Sequence, residues 1–136
     1  LEFAYDDWCI ARMAQEMGKE EFYRKYIERS QNYINVFDGS TKFFRGKRMD
    51  GNWETSFNPF EVGRSYTEAT AWQYRFSVPY DVNGMVQLFG GKEKFITALD
   101  SIFIADPNVH GDLADIQVDG QYAHGNEPSH HIAYFV

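Results

Sequence analysis

Near one end the 136-residue chain reads Tyr122-Ala123-His124-Gly125-Asn126-Glu127-Pro128-Ser129-His130-His131, three imidazoles with an amide and a carboxylate in one short run. Gly125 permits unusual backbone angles, and Pro128 restricts Glu127 to an extended conformation just ahead of a helix start. Such a segment can aim the oxygens of Asn126 and Glu127 in one direction. Oxygen ligands of this kind suit a hard cation such as calcium better than zinc. The histidines lack the His-x-x-x-His spacing that puts two imidazoles on one helix face, so no zinc motif is present. A polar loop with a helix cap accounts for the segment equally well.

Two other places carry acids that could do chemistry. Glu68 lies in Ser65-Tyr66-Thr67-Glu68-Ala69-Thr70-Ala71-Trp72-Gln73-Tyr74. Beside Tyr66, Trp72 and Tyr74 its carboxyl would be partly desolvated, which raises a carboxyl pKa and makes a general acid. The positive end of a following helix opposes that shift. Ser65-x-x-Glu68 also matches a capping box, and the local pattern alone favours the cap. In Tyr5-Asp6-Asp7-Trp8 adjacent acids point to different helix faces, so one of them could position a sugar hydroxyl. The commoner reading is a pair of ordinary first-turn acids.

The elements that must position these residues read as helices. Phe3, Ala4, Trp8, Ala11, Ala14 and Met17 recur at helical spacing, and Gly18 breaks the pattern. A second helix starts at Lys19-Glu20-Glu21 and carries Phe22, Tyr26, Tyr33 and Phe37 toward Asp38, which predicts an antiparallel hairpin. From Asp38 to Tyr66 a long loop interleaves glycines with Phe43, Phe44, Trp53, Phe57 and Phe60. A loop of that length is functional or disordered, and its aromatics argue against disorder. Further helices are expected from Thr67 to Val78 (stopped by Pro79), from Asp81 to Phe89 (stopped by Gly90-Gly91) and from Lys92 to Ile104. A polar loop over Ala105 to Gln121 and a last helix from Ser129 complete the reading. The expected class is all-α: helical hairpins forming part of a toroid, with long aromatic-rich loops.

Composition excludes several partners. The net charge is −7 and the basic residues are scattered, so nucleic acid is not indicated. No run of about 18 apolar residues exists to form a membrane span. The aromatic content, 12 Phe, 9 Tyr and 3 Trp, suits a large core and also the walls of sugar-binding clefts. Cys9, the single cysteine, is expected to be a buried free thiol.

Taken in order, Tyr5-Asp6-Asp7-Trp8-Cys9-Ile10-Ala11, Arg29-Ser30-Gln31-Asn32-Tyr33, Tyr66-Thr67-Glu68 with Ala71-Trp72-Gln73-Tyr74, Val78-Pro79-Tyr80-Asp81-Val82 and His124 to His131 resemble glycoside hydrolase family 92. These are calcium-dependent exo-acting α-mannosidases common in gut Bacteroidetes. The resemblance implies that residues 1–136 are a central part of an (α/α)6 catalytic barrel, without the family's N-terminal β-sandwich domain and the C-terminal part of the barrel. It implies inverting hydrolysis of terminal α-mannosides, with Glu68 as general acid, Asn126 and Glu127 contributing to the calcium site, and His124, Asp7 and Trp72 as substrate-binding residues. The family's general base would lie beyond Val136, so the isolated chain is expected to be inactive. A periplasmic, secreted or cell-surface location follows from the same resemblance.

This sequence departs from the family pattern at Ala69-Thr70, where Gly-Asn is usual. It departs again at Gly125, where some α-1,2-specific relatives carry Glu, which leaves the linkage open. The competing function is a non-catalytic carbohydrate-binding or scaffold domain with an idle Glu68.

Overall fold

A computed structural model of the protein describes residues 1–111 and 118–135. The chain forms two compact units, Leu1–Val36 and Phe37–Val136.

The first unit is the expected hairpin. Helix α1 spans Glu2–Glu16 and helix α2 spans Glu20–Arg29, continued by a 3-10 segment over Ser30–Val36. Gly18 takes a left-handed φ of 66° at the turn between them. The buried side of α1 is Ala4, Asp7, Ala11 and Ala14, a narrower stripe than the apolar residues suggest. Phe3 and Met17 are exposed, and so is Cys9, contrary to the expected buried thiol. The reason is spacing: Cys9 lies two residues from Asp7 and from Ala11, off the i, i+3, i+7 row that faces inward. Asp6 is exposed while Asp7 is buried, as different faces require.

The second unit mixes helices with two small sheets, which corrects the all-α expectation to a helix-rich one. Strands β1 (Phe37–Asp38) and β2 (Phe43–Phe44) form an antiparallel pair, and β3 (Glu61–Val62) pairs in parallel with β4 (His110–Gly111). These strands are two residues each, too short for an alternation pattern to reveal. Helix α3 covers only Ala71–Tyr74, far less than Thr67 to Val78. It cannot start earlier because Glu68 is left-handed and Thr70 is extended. Helix α4 runs from Val82 to Phe89, capped by the Asp81 side chain and stopped by Gly90 in the left-handed conformation. Helix α5 spans Lys92–Ile104 as expected. In place of a final helix from Ser129 there are two 3-10 turns, Glu127–Ser129 and Ile132–Tyr134. Residues 112–117 of the expected polar loop lie outside the described residues. No described helix is long and apolar enough to cross a membrane.

The core of this unit is aromatic. Phe37 meets Phe44 and Phe89, and Phe89 meets Phe76 and Phe95, with ring centroids 5.2 to 5.8 Å apart. Arg75, itself buried, spreads its guanidinium over Phe43 and Phe89 and donates to the Lys42 carbonyl at 2.9 Å. Burial lowers its pKa to about 10, so it stays charged at neutral pH.

Polar contacts fix the loops onto this core. Thr70, Gln73 and Gln121 are all fully buried. Thr70 and Gln73 form a reciprocal capping box at the start of α3. Thr70 Oγ1 donates to Gln121 Oε1, and Gln73 Nε2 donates to the Gln121 carbonyl, both at 3.3 Å. Gln121 Nε2 in turn donates to the carbonyls of Asp106 and Asn108. Gln121→Ala strips partners from several buried groups at once and is expected to cost about 2 to 4 kcal/mol of stability. Denaturant unfolding would measure this, and a loss below about 0.5 kcal/mol would contradict the network's role.

Candidate functional site

The loop before α3 and the His-Gly-Asn-Glu-Pro segment meet at Glu68. The Asn126 side chain donates from Nδ2 to the Glu68 backbone carbonyl at 2.5 Å, across 58 residues of sequence. Glu68 has a φ of 53°, a left-handed conformation that residues with a Cβ adopt at a cost. Strain of this kind persists only where neighbours over-determine the backbone. Here Asn126 holds the carbonyl of Glu68, Ala69 accepts from the Gly63 N–H, and Thr67 bonds the buried Tyr74 hydroxyl. The Glu68 side chain is exposed. Tyr74 and most of Trp72 pack inward instead of covering it, because α3 begins five residues later than a Ser65 cap would place it.

The cap sits elsewhere. Thr70-x-x-Gln73 is the capping box, and Ser65-x-x-Glu68 is not. The left-handed turn frees Glu68 from that task. Two residues earlier, Tyr66 donates its hydroxyl to the Phe44 carbonyl at 2.7 Å. Burial pushes its pKa up to about 12 against the opposing charge of Arg45, so it remains a donor.

The C-terminal segment is laced along the same stretch. Asn126 is the extended residue (φ −111°, ψ 124°), and Glu127 opens the 3-10 turn, the reverse of the conformations its proline suggested. Asn126 uses its amide on Glu68 and caps nothing, which leaves Oδ1 for another partner. Glu127 is exposed. The Tyr122 hydroxyl lies 2.6 Å from His124 Nδ1, and the His124 and His130 rings are 5.4 Å apart. His131 reaches the Phe76 carbonyl with Nε2 at 2.9 Å. A carbonyl only accepts, so that nitrogen carries the proton.

Asn126 thus ties the loop that carries Glu68 to the segment that carries His124 and Glu127, while Trp72 packs among other aromatics. The Trp72 ring lies 5.1 Å from Phe43 and 6.0 Å from Phe60, and its Nε1 is buried without a partner among the described residues. Asp7 belongs to the first unit. Its Oδ2 accepts from Arg29 Nε at 3.0 Å, so it is a buried ion-pair acid and not a first-turn acid.

The donors near Asn126 suit a hard cation in kind: an amide oxygen and a carboxylate. They do not suffice in number, since calcium takes six to eight oxygens. Among the described residues no group of three His, Cys, Asp or Glu could hold a metal ion. Backbone carbonyls, water, substrate or other parts of a larger protein would have to complete the shell.

Sequence reasoning missed three supports of this site: Gln121, the buried Arg75, and the Asp38–Arg45 pair at 2.6 Å. Burial opposes ionisation of Asp38, but hydrogen bonds from Ser40 and Arg45 hold its pKa far below the usual carboxylate range. The signal for Gln121 was available only in Thr70-x-x-Gln73, whose buried glutamine needs a second polar partner.

The profile of the Glycosyl hydrolase family 92 catalytic domain matches residues 1–135. A secreted glycosidase of Arthroderma benhamiae, otherwise uncharacterised, is 27% identical over 132 residues, covering 80% of this chain and 17% of its own length. A family GH92 α-mannosidase from Bacteroides thetaiotaomicron is 39% identical with a TM-score of 0.84, over 98% of this chain and 17% of that one. The same α-mannosidase in complex with mannoimidazole gives a TM-score of 0.87 over 98% of this chain and 19% of that one. A family GH92 inverting mannosidase of that organism is 35% identical with a TM-score of 0.81, over 97% of this chain and 19% of its own. The chain therefore spans less than a fifth of the length of each of these relatives.

Burial lowers the pKa of His131 below its ordinary 6.5, against the raising effect of its carbonyl bond. A depressed folded pKa means the unfolded chain takes the proton first. The stabilisation is present above 6.5 and is lost as pH falls through the depressed value. Melting temperature is expected to drop more steeply from pH 7 to 5 in the wild type than in His131→Gln. That variant keeps an N–H for Phe76 but cannot titrate. Parallel slopes would contradict the assignment.

Proposed function

The chain belongs to glycosyl hydrolase family 92, and on that basis we propose that the whole protein is an exo-acting α-mannosidase with Glu68 as its general acid. The observation that carries this reading is that Asn126 holds the backbone carbonyl of Glu68, whose backbone is left-handed and whose side chain is exposed. A capping role for Glu68 is taken by Thr70 and Gln73, so the strain has no structural purpose left to serve.

In this mechanism the protonated Glu68 carboxyl gives its proton to the glycosidic oxygen as the C1–O bond breaks. Water attacks C1 from the opposite face and the anomeric configuration inverts. The carboxylate that activates this water belongs to another part of the whole protein, so the 136-residue chain alone is inactive. Asn126 fixes the Glu68 backbone, and His124, its Nδ1 held by the Tyr122 hydroxyl, stands beside the departing sugar. Asp7 and Trp72 are the further substrate-binding residues of this reading.

Asn126 Oδ1 and Glu127 would contribute to holding a calcium ion, which when bound supplies positive charge to the sugar hydroxyls. The surrounding architecture is an (α/α)6 barrel completed by other segments and faced by a β-sandwich domain. A secreted or periplasmic location is supported by the relative named as a secreted glycosidase.

Mannose release from α-linked mannobioses by the whole protein tests the proposal. Glu68→Gln is expected to slow release by about 10²- to 10⁴-fold, the usual contribution of a general acid. A calcium chelator is expected to suppress release as well. Release unaffected by the substitution would return Glu68 to a structural role.

A further inference from the structure

We propose that Tyr74 is a positioning residue for the general acid: its hydroxyl fixes the peptide plane before Glu68 and so aims the carboxyl that gives up the proton. The inference rests on the reading of Glu68 as general acid. Tyr74 is buried on α3 and acts through the backbone of Glu68.

A peptide unit is rigid, so the φ and ψ of one residue follow from the orientations of the two planes that flank it. The plane before Glu68 carries the Thr67 carbonyl, and the plane after it carries the Glu68 carbonyl. The Tyr74 hydroxyl donates to the Thr67 carbonyl at 3.4 Å and accepts from the Thr67 N–H at 3.2 Å. One O–H and its lone pairs can serve both bonds at once. Asn126 donates to the Glu68 carbonyl. Each plane is thus held by a side chain from a different part of the sequence, and the φ of 53° at Glu68 lies between the two holds.

Tyr74 is a firm point from which to hold a strained residue. Its own N–H bonds the Thr70 carbonyl at 3.2 Å, and its ring lies 5.4 Å from that of Tyr66. Thr70 is tied in turn to the buried Gln121, so the hydroxyl inherits its place from the core. Thr67 and Glu68 are themselves exposed. Without the hydroxyl, the plane before Glu68 is free to turn and relieve the left-handed backbone, which is favourable for a residue with a Cβ. The Cα–Cβ bond turns with it, and the carboxyl leaves its place.

The test is Tyr74→Phe in the whole protein, which removes one oxygen and keeps the ring against Tyr66. Because Thr67 is exposed, water takes up its freed N–H and carbonyl, and the variant is expected to fold. Two substrates are compared. An α-mannobiose needs its leaving oxygen protonated, whereas 2,4-dinitrophenyl α-mannoside releases a stable phenolate that needs no proton. A displaced acid is expected to lower the ratio of kcat/KM on mannobiose to that on the dinitrophenyl mannoside by about 10- to 100-fold. A role confined to packing moves both values together, so an unchanged ratio would overturn the proposal. Glu68→Gln is measured alongside. A ratio that falls in Glu68→Gln but holds in Tyr74→Phe leaves the general acid standing and removes Tyr74 from the mechanism. A ratio unmoved by Glu68→Gln would sink the underlying reading, and the role of Tyr74 with it.

Discussion

Everything at the site depends on a buried polar knot. Thr70, Gln73 and Gln121 have no access to water, so each donor and acceptor among them must find a partner in the protein or cost a kilocalorie or more. The partners they find tie the start of α3 to the chain beyond Asp119. Once Gln121 is placed, the next residues have little choice. Asn126 reaches the Glu68 carbonyl and His131 the Phe76 carbonyl, so five residues of spacing deliver a second and a third tie. A non-local site is thereby held by local geometry on either side of one anchor.

The knot also explains how strain at Glu68 is tolerated. A left-handed glutamate costs of order 1 kcal/mol or more, which an isolated loop would relieve by flipping the peptide. Here both ends are fixed, by Tyr66 on Phe44 and by the Thr70 cap, and the carbonyl between them is held by Asn126. The result is a carboxylate presented to solvent at the junction of two loops. A helix running from Thr67, as the sequence periodicity suggests, would have laid it along a helix surface instead.

How far this was legible in the sequence varies with the physics of each part. The α1–α2 hairpin, Gly90 as a stop and the whole of α5 follow from spacing and from glycine, which are local. The start of α3 was misplaced because the sequence reading weighed only Ser65-x-x-Glu68 as a capping box, while the structure uses Thr70-x-x-Gln73. Only the tertiary demand of Gln121 chooses between them. The family resemblance pointed to Glu68 despite the local preference for a cap, and the structure shows only that Glu68 lies outside the cap with a left-handed φ. Two-residue strands and a parallel pairing between residues near 61 and 110 carry no period to detect. Cys9 was misread because its apolar neighbours Trp8 and Ile10 were taken to mean burial, although α1 buries mainly alanine.

The central claim is that Asn126 assembles the site by donating to Glu68, beyond any role as an oxygen ligand. Asn126→Asp separates the two, since it keeps and strengthens the oxygen ligand but removes the N–H that Glu68 accepts. The measurement is kcat of the whole protein on an α-mannobiose, wild type against Asn126→Asp, at saturating calcium. A fall of about 100-fold that added calcium does not restore is the predicted result. Activity that returns to the wild-type level with calcium would mean the contact to Glu68 is incidental.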